Sequence, residues 1–500
     1  MAARIRKRYA SGGLTRPDSI ALSQSRFMPI PKYTPAAPGS AHPPASGRSA
    51  LRWVLSTAAL VLAPLSAHAQ IANLSLLDQY FQPGVPGYGQ APGVTVLSRS
   101  RPDYDPLGVR VGDFVIRPEV NEGIGFNSNV LGTSPAKGSF DIDSQGSVRV
   151  NSDWGRNSLG GEITVDDRRL PSESIENRTD WSGTLGGTYE FGRDVLTIAG
   201  SHFSLHQDPT GIDAQQFTVP GLFTTNPIPY TLDDVRASYA ATFGRFGLTP
   251  DVDYERLRFS SLKLIGLNGV AVPAPVGGTI AGVPISQSYR DRDILEGGVT
   301  GRYEFAPLRD ALLVVRDVNT NYNSSQAAAF GPSRSSNAVE VLAGLDYVAD
   351  AVWRYRALIG YESRDFDSRQ YKTHAAPIVE ANVIWQPTGL TTVTGRLLRT
   401  IEDAADESVS GYDYTSARLS VDHEYARNIL LSGYLGAQRA DYLQTTNNET
   451  YYGAGAGVTW LVNRNVRLTA TDDVTQRESS SNFGPNYFQN VTMLQIRLGL

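Results

Sequence analysis

The chain has no cysteine, which excludes a disulfide framework and thiolate metal sites and suits a protein that is exported unfolded. Beyond residue 69 it has no apolar run near the roughly 18 residues that a membrane-spanning helix needs, so a bundle of membrane helices is excluded. It also lacks basic clusters with interleaved aromatics. The first 69 residues carry nine Lys or Arg against one acid, Asp18, so the remaining 36 bases face 49 acids. An acidic chain of that kind is no nucleic-acid binder, because such affinity comes chiefly from neutralising phosphates. What the chain does have is glycine (48), tyrosine (24) and only 41% hydrophobic residues over 500 positions. That length fits either several soluble domains or one large barrel.

Arg48 and Arg52 precede an apolar stretch from Trp53 to Leu65 and then Ala67-His68-Ala69. This order is that of a secretory signal peptide, residues 48–69, with cleavage expected after Ala69. An N-terminal anchor helix would need a longer apolar run. Residues 1–47 are basic and rich in Pro, Ser and Ala, with nothing to pack a core. They read as a disordered extension, either an over-extended start site or a long n-region. Residues 70–108 hold a short apolar patch (Leu74, Leu76, Leu77, Tyr80, Phe81) followed by Pro83, Gly84, Pro86, Gly87, Gly89, Pro92 and Gly93. They read as an irregular periplasmic tail: a linker, a plug or a segment that docks partners.

From Val109 the pattern changes to a period of two. Phe114, Ile116, Pro118, Val120, Ile124 and Phe126 alternate with Arg117, Glu119 and Asn121, and on a strand the two sets face opposite sides. Eighteen such segments follow, beginning near Val111, Phe140, Leu159, Thr179, Val195, Thr231, Phe246, Tyr289 and Ala311. The second half begins near Asn337, Val352, Thr373, Leu390, Tyr412, Ile429, Thr450, Val466 and Tyr487. Each runs about 8 to 15 residues, the length of tilted membrane strands, which need about 9–11, rather than soluble ones of about five or six. Connections alternate between short (Gly192-Arg193, Gly244-Arg245, Arg427-Asn428) and long (Gln207 to Pro229, Ser260 to Gln287, Asn323 to Ser335). The predicted fold is therefore all-β: a transmembrane antiparallel up-and-down β-barrel over 109–500, of about 18 strands (16–18), with short periplasmic turns and longer outer loops.

The short turns share a pattern, an aromatic, a small residue, then Arg: Trp154-Gly155-Arg156, Phe191-Gly192-Arg193, Phe243-Gly244-Arg245 and Tyr425-Ala426-Arg427. Trp385 and Trp460 also end strands just before a turn. Aromatic rings favour the membrane–water interface, so Trp154, Phe191, Phe243, Trp385, Tyr425 and Trp460 are expected to form a girdle. Behind them, Leu295, Val299, Tyr303 and Phe305 share one face, and Arg290, Arg292, Glu296, Arg302 and Glu304 the other. Trp353, Tyr355, Ala357, Ile359 and Tyr361 likewise oppose Arg354, Arg356, Glu362 and Arg364. Such charges are too costly for lipid or a dry core. Arg290, Arg292, Glu296, Arg302, Arg354, Arg356 and Arg364 are therefore the candidate lining of a hydrated lumen. In the last strand Phe488, Leu494, Ile496, Leu498 and Leu500 share a face. Leu500 stands where outer-membrane proteins often end in the aromatic that the assembly machinery recognises.

Tyr104-Asp105-Pro106-Leu107-Gly108-Val109-Arg110-Val111-Gly112-Asp113-Phe114, then Arg117-Pro118, Phe126-Asn127-Ser128-Asn129-Val130 and Asp153-Trp154-Gly155-Arg156-Asn157, form an opening that resembles the putative β-barrel porin 2 family of bacterial outer-membrane proteins. The similarity extends from about Tyr104 to Leu500. It implies an outer-membrane barrel and an association with exopolysaccharide production or export.

No catalytic, cofactor or metal site is expected. His202 and His206 lie four apart on a strand, about 13 Å along it, which is too far for one ion. No Gly-x-Ser-x-Gly elbow or phosphate-binding glycine loop occurs, and Asp251/Asp253 and Asp406/Glu407 read as lumen or loop charges. The expected function is a porin-like channel, with a non-conducting component of a polysaccharide-secretion system as the alternative and a barrel enzyme behind both. The expected partners are outer-membrane lipid, the assembly machinery and polysaccharide-export components.

Overall fold

The structure is a computed structural model that describes residues 85–87, 95–213, 222–224, 226–266, 284–323, 332–348, 352–406, 409–480 and 484–500. The predicted extension 1–47, the signal peptide with its cleavage site after Ala69, much of the 70–108 tail and the Ala349-Asp350 turn lie outside them.

Eighteen long strands follow one another: β1 (Phe114–Asn127), β2 (Ser139–Ser152), β3 (Ser158–Arg169), β4 (Arg178–Phe191), β5 (Asp194–Gln207) and β6 (Ile228–Phe243). Then come β7 (Phe246–Phe259), β8 (Arg292–Ala306), β9 (Arg309–Tyr322), β10 (Ser336–Val348), β11 (Trp353–Phe366) and β12 (His374–Thr388). The last six are β13 (Thr391–Glu402), β14 (Tyr412–Ala426), β15 (Ile429–Tyr442), β16 (Asn448–Leu461), β17 (Val466–Ser479) and β18 (Tyr487–Gly499). Each pairs antiparallel with the next, from β1 with β2 to β17 with β18. β18 returns to β1 from Glu119↔Gly499 to Asn127↔Val491. The closed ring leaves no edge strand, so every wall ladder is satisfied without water.

The strand count and order match the alternation read from the sequence. Two starts differ. Val109–Val111 is not the first turn of β1 but a separate arm that folds back on Phe114–Ile116, because Gly112 takes a left-handed φ of 59°. The segment near Tyr289 begins as a 3-10 turn, Ser288–Arg290, and the strand proper starts at Arg292. The turns explain their own residues. Gly192 (φ 72°) and Gly244 (φ 65°) supply the left-handed conformation that a two-residue hairpin demands. Leu308 adopts φ 61° without that freedom, at a cost of about 1 kcal/mol or more.

The inner and outer faces follow from the ion pairs. Arg316 on β9 reaches Glu380 on β12 at 2.7 Å, across two intervening strands spaced about 4.8 Å apart. Only the concave side brings such side chains together. The outer set therefore includes Leu295, Val299, Tyr303, Phe305, Ile359 and Tyr361, all exposed. The period is sharp: Ile359 is 66% exposed and the adjacent Leu358 1%. Trp154, Phe191, Phe243, Trp385, Tyr425 and Trp460 are exposed at the short-turn end. Rings there meet in neighbouring pairs, Phe114–Trp154 edge-to-face at 5.5 Å, with Tyr347–Tyr355 at 4.9 Å and Trp353–Trp385 at 5.3 Å stacked.

Candidate functional site

The inner surface of the wall is where this fold places chemistry. Six of the seven lumen candidates from the sequence, all but Arg290, lie on that side of their strands and do different things. Glu296 shares Arg316 (3.6 Å) with Glu340 (3.1 Å) and Glu380 (2.7 Å), so one guanidinium serves three carboxylates on β8, β10 and β12. Arg302 pairs with Asp310 at 3.4 Å. Arg354 and Arg356 sit close to the short turn that opens β11, with Arg354 exposed. Arg292 and Arg364 both reach Asp403, at 3.0 and 3.1 Å, and Arg364 also holds Glu362 at 3.0 Å. Arg290 is off the strand. Its guanidinium lies over Phe259 at 4.0 Å and donates to Gln207 Oε1 at 2.8 Å.

Arg292, Arg364 and Arg290 belong to a closure at the outer end that sequence reasoning missed. Residues 208–213 leave β5 and reach residues of β15, β16 and β18. The hydroxyl of Tyr487 donates to the Thr210 carbonyl (2.6 Å), and that of Tyr451 to the Gly211 carbonyl (2.9 Å). The backbone N–H of Asp213 donates to Glu449 Oε1 (2.6 Å), while its carboxylate accepts from the Ala405 N–H (2.7 Å) and the Tyr442 hydroxyl (3.1 Å). Ile212 packs on an apolar cluster of Ala404, Val409, Tyr412, Tyr414, Ala440 and Tyr442. Arg334 and Tyr289 donate to the carbonyls of Ala404 and Ala405 at 2.6 and 2.9 Å. Loops after β5, β7, β9 and β13 thus meet inside the outer mouth. Burial, reinforced by Glu449, raises the Asp213 carboxyl to about 8 despite Arg290. Burial opposes the charge of Asp208, yet Arg178 and Arg168 hold that carboxyl well below the usual range. Burial lifts Glu176, which also faces Asp208, well above it.

The short-turn end has its own occupant. Val96 sits between Leu430 and Leu461, its N–H donating to Thr392 Oγ1 at 3.0 Å. Arg99 and Arg101 converge on Glu424 Oε2, at 2.8 and 3.0 Å. Arg464 donates to the Pro102 carbonyl (2.8 Å), and the Gly108 N–H to the Leu500 carbonyl (3.0 Å). On the other side Val85 packs with Ala199, Phe203, Leu232 and Leu257. These wall residues are the inward set of their strands, so both pieces of the tail lie within the barrel. The weak sequence signal was a few apolar residues, Val85 and Val96, in a Pro/Gly-rich stretch without periodicity.

The histidines are engaged singly. His202 meets Asp233 (2.6 Å) beside the Trp181 ring, His206 Asp180 (2.7 Å), His374 Asp413 (2.8 Å) and His423 Thr391 (2.9 Å). Among the described residues, Asp234, Asp253 and Glu255 bring carboxylates within 4.8 Å of one another. Arg236 already lies 2.8 Å from Asp234 and 2.9 Å from Asp253, where a bound cation would otherwise sit.

No curated protein matches this chain. Solved structures similar to it include Pseudomonas aeruginosa OccK2 (OpdF) in complex with glucuronate, 12% identical over 78% of this chain and 99% of that one, TM-score 0.41. OccK1 (OpdK) from the same organism is 11% identical over 78% and 100%, also at 0.41. Acinetobacter baumannii OccAB3 is 7% identical over 78% and 100%, again at 0.41. The model of the family described as "Putative beta-barrel porin 2" matches residues 101–500, and with the closed ring of eighteen strands this makes the chain a member of that family, a porin-like β-barrel of the bacterial outer membrane.

Proposed function

We propose that the barrel is a conduit for small polar solutes that favours cations. The observation that carries this is the Arg316 group. One guanidinium faces Glu296, Glu340 and Glu380, and the Glu296 and Glu380 side chains keep about a third of their surface exposed, 35% and 34%. Next to it Arg236 serves Asp234 and Asp253. An excess of carboxylates on a low-dielectric wall concentrates counter-ions and sets the sign of selectivity. The arginines expected from the sequence to line the lumen then divide into two kinds. Arg290, Arg292 and Arg364 serve the outer closure, while Arg354 and Arg356 remain candidates at the periplasmic mouth.

The test is the reversal potential of the purified protein in a planar bilayer under a salt gradient. Cation preference is expected, weakened by combining Glu340→Gln with Glu380→Gln. Anion preference, or indifference to both substitutions, refutes the reading.

A second reading is a closed structural barrel, favoured by the segments that occupy both ends. The family resemblance supplies its setting, exopolysaccharide export, with cleavage after Ala69 during secretion and assembly by the outer-membrane machinery. In either reading Trp154, Phe191, Phe243, Trp385, Tyr425 and Trp460 sit at the periplasmic membrane interface, where rings gain on both sides.

A further inference from the structure

We infer that residues 85–87 and 95–108 of the tail belong to a releasable plug held inside the lumen, latched at the periplasmic end by Arg99 and Arg101 on Glu424. The inference rests on the conduit reading. Its two described pieces occupy opposite walls: Val85 lies against β5, while Arg99 and Arg101 reach β14, nine strands away in a ring of eighteen. They also differ in height. Phe203 and Leu232, which Val85 touches, lie toward the outer end. Thr392 and Leu430 follow short turns at the periplasmic end. Residues 95–108 therefore lie at the periplasmic rim and residues 85–87 against the outer half of the wall.

The contacts of the described residues are specific. Val96 fills an apolar socket of Leu430 and Leu461, with Leu97 and Tyr104 against it. Arg101 bonds the Val96 carbonyl (2.5 Å) as well as Glu424 (3.0 Å), and its own N–H meets Asp105, so the segment is braced into a compact turn before it meets the wall. Glu424 is only 11% exposed, so these two guanidinium groups are its charge partners at a site largely shut off from water. On the opposite wall Gly186 leaves room for the tail backbone. A Cβ there would lie 1.8 Å from the Pro86 carbonyl oxygen. At the far end Gly108 is tied to Leu500 and Pro106 packs near Gly499, so a released tail stays tethered to the seam between β1 and β18.

Three variants of the full-length protein, purified from outer membranes, test this, with heat-modifiable gel mobility confirming a folded barrel. Glu424→Ala should raise tryptic cleavage after Arg99, which Ser100 follows, roughly tenfold, the effect of losing a pair of charge-assisted contacts, and should raise single-channel conductance. Gly186→Val should raise conductance by displacing Pro86 without touching the latch. Val96→Cys with Leu430→Cys, in a chain with no other cysteine, should conduct poorly when oxidised and recover on reduction. A channel that conducts equally in the oxidised and reduced states overturns the plug and leaves the conduit standing. Cleavage after Arg99 that is as fast in the wild type as in Glu424→Ala overturns the latch. Silence in every variant, reduced or oxidised, sinks the conduit reading and the plug with it.

Discussion

The outer closure should respond to protons through Asp213. Its carboxyl is raised to about 8 from 3.8 because burial penalises the charge and Glu449 adds repulsion, with Arg290, the Ala405 N–H and the Tyr442 hydroxyl pulling the other way. The groups that face it are Glu449 with its partner Arg477 and Tyr442 from the wall, and Arg290 from the turn before β8. The docked loop thus holds a proton that the released loop gives up above about pH 4. Docking is strongest below 3.8, weakens as pH rises towards 8, and changes no further above it. At about 1.36 kcal/mol for each tenfold change in proton affinity, the ceiling is roughly 5–6 kcal/mol, and a quarter of that already shifts the docked population about tenfold. Amide hydrogen exchange of residues 208–213 between pH 5 and 9, corrected for intrinsic chemistry, reads this directly. Protection should fall with pH in the wild type and stay flat in Asp213→Asn, which keeps the acceptor oxygen and cannot ionise. Protection independent of pH in the wild type, or the same slope in Asp213→Asn, refutes the argument.

Arg477→Ala should destabilise the barrel by about 3–5 kcal/mol, because it strands Glu449, 1% exposed in the pair, without its partner. Reversible urea unfolding in lipid measures this. Ile359→Arg, on the exposed face of β11, should cost about 2–4 kcal/mol if that position lies near the bilayer midplane. The same unfolding assay decides it, and a neutral result would mean that Ile359 does not face the midplane.

The wall of this barrel was legible because its physics is local. A period of two selects the face, and turn chemistry selects the end, so the eighteen strands and the exposed aromatics follow from short windows of sequence. Parity also placed Arg292, Glu296, Arg302, Arg354, Arg356 and Arg364 on the inner side. It did not say what each would meet. Arg292 and Arg364 share Asp403, which lies beyond β13 and reaches them only through the folding of a loop. Arg290 escaped parity altogether, since the 3-10 turn at Ser288–Arg290 precedes the strand and breaks its alternation. The Arg316 group was hidden for the opposite reason: one arginine among Leu312, Val314 and Val318 looks isolated until three other strands bring their glutamates to it. The tail and the 208–213 segment carry no periodicity, so the plug stayed one of three readings for the tail, with only scattered apolar residues such as Val85 and Val96 pointing to a socket.

These two segments are the parts of the barrel that can move without opening its wall. The wall is a closed ladder in which every strand is paired on both sides, and moving a strand would expose unsatisfied backbone to lipid. The segments that enter from the ends are held, in their described residues, by side-chain contacts instead of wall ladders, so they are the low-cost degrees of freedom. Their chemistries differ. The outer one turns on the protonation of a single buried carboxyl, Asp213; the inner one turns on two arginines meeting Glu424, where Arg99 is 30% exposed and therefore screened by salt. Acid should tighten the outer mouth, and high ionic strength should loosen the periplasmic latch. A conductance record taken over both variables separates the two ends without any mutation, since a single shared gate would respond to both in parallel.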